Sequence, residues 1–557
     1  MMGGLAYAQV SGVLRDSNNF PMEEAEVIVT RTGESAYTDG EGNFNVDAKV
    51  GDTLKIIDSN GEEKIVKVTS TSLGVVKFTT KASENIELGT VNLIGGIKMD
   101  AAQKIGAYDI IKKEDFELAP TASIDEVLNG RVAGLVFSTN SGDPGSSNII
   151  TIRGVGSLIG TPNPLYVIDG VVVGKGSDNA SIMESWNPLA SIDPNAIENV
   201  MVLKDASATA LYGARGANGV IVITTKKGRY NQKTRFNISS DMAYQQIAFD
   251  EQKFMNASEF MQWGAMANMN ANSAYATSMA EAVKKFTEST KWDGKTDENW
   301  RKGVMRDFSS VNTYNFSASG GGENTSFRFG TSYYQNKPLP INSKFDRISA
   351  NVSIDHKMDD ILKIGFNSNF SNVTRTTIDD GGAYRNPWRA QFTMLPIYPI
   401  YNPDGSYNQE LGGSGNTPDY FNPVAILEND FAKGNIRTYL SSINGELQFV
   451  KNVYLYTLFG LQYQDMTEKT YWDPAIADGR AQASGDLNGG LVAAADTRAF
   501  DWNWQNSLSY RNKFNNRHDL QVWGGVEYQE HKWNNTYAVV RHLSKPKPFL
   551  GFGATRD

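Results

Sequence analysis

The sequence predicts a mainly β chain in three parts: a small N-terminal β-sandwich, a compact α+β domain, and an antiparallel transmembrane β-barrel, of which only part is present. Three observations carry this. After Thr234 apolar and polar residues alternate with period two over many segments, the pattern of two-faced strands. The connections between those segments alternate short and long, the layout of outer-membrane barrels. Between Ser123 and Gly228, strand-like runs, short helical segments and glycine turns succeed one another, as in a small mixed sheet.

Composition narrows the classes. The 557 residues suggest three or four domains, at roughly 150 residues each. The net charge is −9 with both signs mixed, so no basic face for nucleic acid stands out. No cysteine occurs; disulfide scaffolds, Cys-based zinc sites and a thiol nucleophile are excluded. The four histidines, His356, His518, His531 and His542, show no metal-ligand spacing. No cofactor is expected. No apolar run reaches ~18 residues, which excludes a transmembrane helix but not barrel strands.

Residues 1–8, MMGGLAYA, end in a small-x-small pattern, Ala6-Tyr7-Ala8. They read as the remnant of a signal peptide with Gln9 as the mature start. Residues 9–82 read as the sandwich. Val10–Leu14 is a first strand, Ala25–Thr30 alternates, and Thr38–Phe44 reads as a tight Asp-Gly hairpin. VSGVLRDSNNFPMEEAEVIVT and AYTDGEGNFNV resemble the carboxypeptidase regulatory-like domain, a transthyretin-like sandwich. That resemblance implies no peptidase activity of its own. Residues 83–114 read as a linker. They hold a β-prone island, Glu87–Ile94, able to add to another protein's sheet edge or to end the sandwich.

Residues 115–230 form the α+β domain. Ser123-x-x-Glu126 reads as a capping box opening a short helix. Asn148–Arg153 and Leu165–Asp169 read as strands. Asp193 caps a helix with Pro194 at its first position. Val200–Lys204 is a strand, Asp205 caps a helix over Ala206–Tyr212 closed by Gly213, and Gly219–Thr225 is the last strand. Gly154-Val-Gly156 followed by Gly160 imitates a nucleotide loop, but no helix opens after it, as dinucleotide binding requires. Arg153, Arg215 and Asp169 have no base–nucleophile companion and read as ion pairs inside the domain.

Residues 231–557 read as about nine barrel strands. Ile348, Ala350, Val352 and Ile354 share one face; Arg347, Ser349, Asn351, Ser353 and Asp355 share the other. In a barrel the apolar face would meet lipid; alternation alone does not separate a barrel from a soluble sandwich, but the connection lengths do. The outer loops are rich in Trp, Tyr, Asn, Asp and Gly. Single-chain bacterial barrels use even strand numbers, and nine or ten strands enclose only a cylinder ~20 Å across. The α+β domain, with a radius of gyration of ~13 Å, does not fit inside. A roughly 22-stranded barrel would hold it, so the chain reads as the N-terminal portion of a longer transporter.

The α+β segment, LNGRVAGLVFSTNSGDPGSSNIITIRGVGS, PLYVIDGV and SIDPNAIENVMVLKDASATALYGARGANGVIVITTKKG, resembles the plug of SusC/RagA-type TonB-linked outer-membrane transporters. With the sandwich and the strands, the resemblance spans nearly the whole chain. It implies a 22-stranded barrel in the cell outer membrane with the sandwich in the periplasm. It implies TonB-dependent import of large nutrients, an oligosaccharide or peptide ligand, and no enzyme activity. Its partners would be the TonB–ExbB–ExbD complex, a SusD-like surface lipoprotein and outer-membrane lipid. The plug motif falls on Arg153, Gly154, Asp169, Gly170, Lys204, Asp205, Tyr212, Gly213, Arg215, Gly216, Asn218 and Gly219. The family's coupling strand, such as DEVVVVGYG, is matched only loosely by Glu87, Leu88, Gly89, Thr90, Val91, Asn92 and Leu93. The rival reading is a secreted β-rich adhesin or glycan-binding protein without transport.

Overall fold

The computed structural model describes residues 9–15, 21–23, 25–57, 63–78, 91–92, 96, 98–99, 107–112, 121–139, 141–156, 162–173, 182–183, 186–248, 253–359, 361–377, 386, 389, 392–409, 421–476, 489–514 and 518–556. These fall into two compact units, Met1–Leu88 and Gly89–Asp557.

The first unit holds β1 (Gln9–Arg15), β2 (Glu26–Val29), β3 (Ser35–Tyr37), β4 (Asn43–Asp47), β5 (Thr53–Ile57), β6 (Glu63–Lys67) and β7 (Ser72–Lys77). They form two sheets, ordered β4-β1-β7 and β3-β2-β5-β6. Alternate residues point inward, and Val10, Leu14, Val27, Val29, Phe44, Val46, Leu54 and Ile56 fill the core. The Thr38–Phe44 stretch is not a hairpin: β3 and β4 belong to different sheets, so the turn carries the chain from one to the other. The Asp39 carboxylate holds it by accepting the amides of Glu41 and Asn43 at 3.0 and 2.8 Å.

The second unit begins with a two-strand ribbon, β8 (Val91–Asn92) and β9 (Lys98–Met99). The α+β domain follows: β10 (Tyr108–Lys112), α1 (Ile124–Leu128), β11 (Leu135–Thr139), β12 (Asn148–Ile152), β13 (Leu165–Ile168), β14 (Val171–Val173), β15 (Ile197–Leu203), α2 (Ala206–Thr209) and β16 (Val220–Thr225). Its five-stranded sheet runs β10-β15-β16-β13-β14, with β11 and β12 paired apart. The central strands β15 and β16 hold continuous apolar runs, Val200–Leu203 and Val220–Ile223, because both faces are covered there. Val200, Val202, Ile221 and Ile223 pack with Ile124, Val127 and Leu128 of α1. Met201, Leu203, Val220 and Val222 pack on the opposite side with Ala208 and Tyr212.

The rest is one ten-stranded antiparallel sheet in chain order. Its strands are β17 (Gln232–Gln245), β18 (Ser309–Gly321), β19 (Thr325–Lys337), β20 (Lys344–Met358), β21 (Leu362–Thr377), β22 (Phe431–Val450), β23 (Val453–Trp472), β24 (Leu491–Phe514), β25 (His518–Leu543) and the short β26 (Gly553–Arg556). β26 joins the nine strands read from the sequence. Among the described residues the two ends, β17 and β26, do not pair with each other. The long connections carry helices α3 (Ala257–Ala271), α4 (Met279–Thr290), α5 (Trp300–Val304) and α6 (Pro423–Asn429).

Burial settles which face is which. Ile348 is 51 % exposed while its neighbour Arg347 is 1 % exposed. Ile354, Phe366, Phe459 and Leu508 are likewise exposed, whereas Ser349, Ser353, Asn367 and Asn503 are buried. A soluble sandwich would show the reverse. The apolar face looks outward as a lipid-facing wall does, and the polar face is covered by the α+β domain.

Candidate functional site

The polar face of the sheet is fastened to the α+β domain at a few points. On β20, Arg347 Nη1 donates to the carbonyls of Ala122, Ala190 and Ile192 at 2.7, 3.0 and 3.0 Å. The Asp193 carboxylate lies 3.6 Å from Nη2, and the guanidinium stacks 5.2 Å from the centre of the Tyr334 ring. One charged side chain thus caps three carbonyls of two loops. Asp193 also accepts the Asn195 amide at 3.1 Å, capping the single 3₁₀ turn Pro194–Ala196.

A second fastening lies on β23. The Trp186 indole donates to Glu468 Oε1 at 2.8 Å, and the Ile182 amide donates to Oε2 at 3.1 Å. Arg375 of β21 covers the Trp186 ring at 4.6 Å. A third is the tip of the β13–β14 hairpin. Asp169 and Gly170 have φ of +47° and +84°, the pattern of a type I′ turn. Gln505 and Asn503 donate to the Gly170 carbonyl at 3.1 and 3.4 Å. Leu458 closes on Gly170 so tightly that a Cβ there would come within 2.7 Å of its Cδ1. The Asp169 carboxylate turns back, accepting the amide and hydroxyl of Thr225 at 2.9 and 2.7 Å; its burial raises its pKa.

The remaining motif residues sort by what they touch. Arg153 pairs with Asp205, and Asp205 accepts the Ala107 amide at 2.6 Å. The Ala107 and Arg153 bonds hold its carboxyl below the usual carboxylate range. Lys204 bonds Asp109 and, at 2.7 Å, the Ala133 carbonyl. Together they pin the edge strand β10. Gly154 follows Arg153 in the turn after β12. Tyr212 is buried under the sheet, and Gly213 sits at a kink. Gly216, Asn218 and Gly219 lead into β16. Among the described residues Arg215 pairs outside the domain: it reaches Glu527 at 2.7 Å and Gln529, both on β25. So Asp169–Gly170 and Arg215 meet the wall, and Arg153, Lys204 and Asp205 hold the domain together.

Two local caps read from sequence are replaced by distant partners. Ser123 stands at the N-cap of α1 without a capping bond. Its hydroxyl meets Asp125, whose carboxylate also receives Asn187 Nδ2 at 2.9 and 3.0 Å and Asn148 Nδ2 at 2.6 Å. Burial, with Asp125 beside it, pushes the Glu126 carboxyl up to about 7. Asp205 likewise caps nothing, and the helix it was to open is only the α2 turn followed by a 3₁₀ stretch, Ala210–Asn218.

Above the domain lies a cavity of about 500 Å³. It is lined by the loop Ser141–Pro144, by Gln245, Ser309 and Asn336 of the wall, and by Val304, Pro338, Leu339, Pro340 and Leu427. Asp143 in its floor bonds Thr377 at the end of β21. Among the described residues no cluster of His, Asp and Glu could hold a metal ion. Of the coupling candidates, Glu87, Leu88, Gly89, Thr90 and Leu93 lie outside the described residues; Val91 and Asn92 form β8.

Residues 100–220 match the model of the TonB-dependent receptor plug domain. The chain is 28 % identical over 488 residues to the TonB-dependent receptor SusC of Bacteroides thetaiotaomicron, covering 84 % of this chain and 46 % of that protein. It is 25 % identical to the TonB-dependent receptor P26 of Formosa agariphila, covering 91 % and 47 %. Among solved structures it resembles the RagAB peptide importer in its open-open state, with TM-score 0.68, 24 % identity, and 84 % and 52 % coverage. The closed-closed state gives TM-score 0.66 at 23 % identity, covering 81 % and 50 %. The chain carries the plug domain of TonB-dependent receptors and is similar along most of its length to receptors of the SusC/RagA type. It spans about half the length of the curated relatives it matches. The receptor's α+β domain is the plug, and its strands belong to an outer-membrane barrel. No helix among its described residues is long and apolar enough to cross a membrane.

The sequence did not single out the receptor's wall anchors Arg347, Arg375, Glu468, Gln505 and Trp186. A signal exists for three of them: Arg347, Arg375 and Glu468 are charges on the polar face of strands whose other face is largely apolar.

Proposed function

We propose that this receptor imports a large nutrient, an oligosaccharide or a peptide, across the outer membrane, with the plug as its gate. The observation that carries the reading is the fastening of the plug to the wall's polar face by Arg347, Glu468 and Gln505. A plug held this way blocks passage until it is moved. The work of moving it comes from the TonB–ExbB–ExbD complex. TonB pairs with Glu87–Leu93 as an added strand and pulls. A SusD-like surface lipoprotein covers the cavity above the Ser141–Pro144 loop and delivers ligand to it.

The test is deletion of Glu87–Leu93 in the receptor as it stands in the cell. Uptake of the nutrient, measured as growth on it, is expected to vanish while the barrel still assembles in the outer membrane. Uptake that persists and still needs the proton gradient would refute the coupling assignment. Recovery of the protein from the periplasm without detergent would refute the transport reading.

A further inference from the structure

The outward face of β22, β23 and β24 changes character along its length. From the tight-turn end it is apolar, with Ile443, Leu455, Phe459 and Leu508 exposed. This belt ends in an aromatic row, Phe370, Tyr439, Tyr463 and Phe500, set side by side by the strand register. The Tyr439 ring lies 4.9 Å from Phe370 and 6.3 Å from Tyr463. Aromatic rows of this kind mark a membrane–water interface. The next outward residues toward the long connections, ~7 Å further along each strand, are Arg437, Asp465 and Arg498. The Asp465 carboxylate is shared, 3.4 Å from Arg437 Nη1 and 3.6 Å from Arg498 Nε, and both arginines are more than half exposed. Two outward positions beyond Arg437, Lys433 stands directly opposite Lys469. The other cross-strand neighbours of these lysines are Thr376 and Ala494, so neither faces a carboxylate. Like charges directly opposite are destabilising. Against its four cations the patch sets only Asp465 and Asp496, which leaves it net positive.

We propose that Lys433, Arg437, Lys469 and Arg498 bind the phosphate-bearing headgroup of a lipid in the outer leaflet, whose acyl chains lie along the apolar belt below. Height, charge and shape choose this occupant. The patch sits just beyond the aromatic row on the side of the long connections, the outer side of a barrel, where headgroups lie. Arginine's planar fork matches a phosphate through two parallel hydrogen bonds, and lysine binds it as a point charge. A phosphate held between Lys433 and Lys469 turns their repulsion into attraction. The exposed Ile443 and Phe459 beneath the patch receive acyl chains, a contact that a free phosphate does not make. The inference uses the outward face alone, so it stands or falls apart from the import reading.

The probe is monophosphoryl lipid A in dodecyl maltoside micelles. Its binding to the receptor, extracted from the membrane and stripped of lipid, is read by native mass spectrometry. The double variant Lys433→Gln, Lys469→Gln is expected to weaken binding about thirtyfold, at roughly fivefold per cation at a membrane surface. Arg437→Gln with Arg498→Gln is expected to weaken it at least as much. Lys337→Gln with Lys344→Gln removes two charges from the neighbouring strands β19 and β20 and is expected to leave binding as it was. Equal binding by the parent and the Lys433, Lys469 double variant overturns the proposal. So does equal binding of phosphatidylcholine, which would mean a non-specific lipid annulus. So does full competition by inorganic phosphate at equal concentration, which would mean a site for a free anion. A dimer formed in detergent by the parent and not by the double variant would give the patch to a second copy of the chain and overturn the lipid assignment. If the double variant does not assemble, salt replaces it: binding of lipid A by the parent is expected to fall as ionic strength rises, and binding indifferent to salt overturns the proposal.

Discussion

Replacing Arg347 by methionine should loosen the plug without altering the outer face of the barrel. The side chain is buried, and its Nη1 serves three carbonyls, those of Ala122, Ala190 and Ile192. Methionine fills most of the volume but donates nothing. Each orphaned buried acceptor costs about 1–3 kcal/mol. Asp193, 3.6 Å away, also loses its compensating charge, and breaking a buried pair costs about 3–5 kcal/mol. These costs overlap, because water can follow into the gap, so the net loss is about 3–5 kcal/mol. At ~1.4 kcal/mol per factor of ten, amides in Ala122–Leu128 and Leu189–Ile197 should exchange with solvent roughly a hundred- to a few thousandfold faster. Arg347→Lys retains the charge but not the fork and should fall between. The assay is hydrogen exchange of the detergent-solubilised receptor, read by mass spectrometry, with Val220–Thr225 in the plug centre as internal control. Exchange of the two interface segments within about twofold of the parent, in a folded barrel, would refute the claim that Arg347 holds the plug.

Gly170→Ala places a methyl at φ +84° against Leu458; a cost of about 1–2 kcal/mol from the left-handed backbone alone should make the β13–β14 tip more sensitive to limited proteolysis, with only partial rescue by Leu458→Ala. Trp186→Phe keeps a ring beneath Arg375 but removes the 2.8 Å bond to Glu468. A hydrogen bond to a charged group is worth about 1.5–3 kcal/mol, so Ile182–Asn187 should exchange roughly ten- to a hundredfold faster. Glu126 titrates near 7 in the folded plug because burial and Asp125 disfavour its charge. A raised carboxyl pKa means that its contribution is fully present below the ordinary value of 4.5 and is lost as pH rises through about 7. Plug stability should therefore fall between pH 5 and 7.5, and Glu126→Gln should flatten that slope; an unchanged slope would show that another group carries it.

The period-two alternation of β20, β21 and β23 was legible in sequence, because a strand's side chains alternate whatever it packs against. Alternation alone did not separate a barrel from a soluble sandwich, since Ile348 and Arg347 carry the same pattern in both. The alternating short and long connections did, and the exposure of Ile348 beside buried Arg347 agrees with them. The Asp169–Gly170 turn was visible as a glycine signal, but its partners Leu458, Asn503 and Gln505 lie hundreds of residues away. The failed caps show the same limit from the other side. Ser123 and Asp205 have the right residue type for an N-cap, worth ~1 kcal/mol on a helix. Their helices are short, α1 having five residues and α2 four, so a cap gains little there. Charge-assisted bonds among Asp125, Asn148 and Asn187, and from Asp205 to Arg153, gain more. A sequence window shows the local option and hides the stronger distant one.

The chemistry of the interface bears on whether such a gate can move. The wall presents Ser349, Ser353, Asn367, Ser371, Thr438, Ser442, Gln462, Asn503, Gln505, Ser507 and Ser509, all buried. Apolar side chains interrupt them at Leu440, which joins the plug core, at Leu458, and in one cluster where Val311, Tyr334, Phe345, Val373, Ile436 and Met466 of the wall pack with Ala122, Trp186 and Ala190 of the plug. An apolar interface of this extent would resist separation in proportion to its area, at ~25 cal/mol per Å². Polar contacts exchange for water one at a time, and each nets only about 0.5–1.5 kcal/mol. Within the plug the balance is the opposite: β15 and β16 sit between two apolar layers. A pull on the chain therefore meets a boundary that is polar over much of its extent, tightened at the Trp186–Phe345 cluster, around a core that is apolar throughout. The strong points are Arg347, Glu468, the Gly170 tip and the apolar cluster around Trp186 and Phe345, and releasing them leaves the two apolar layers about β15 and β16 closed.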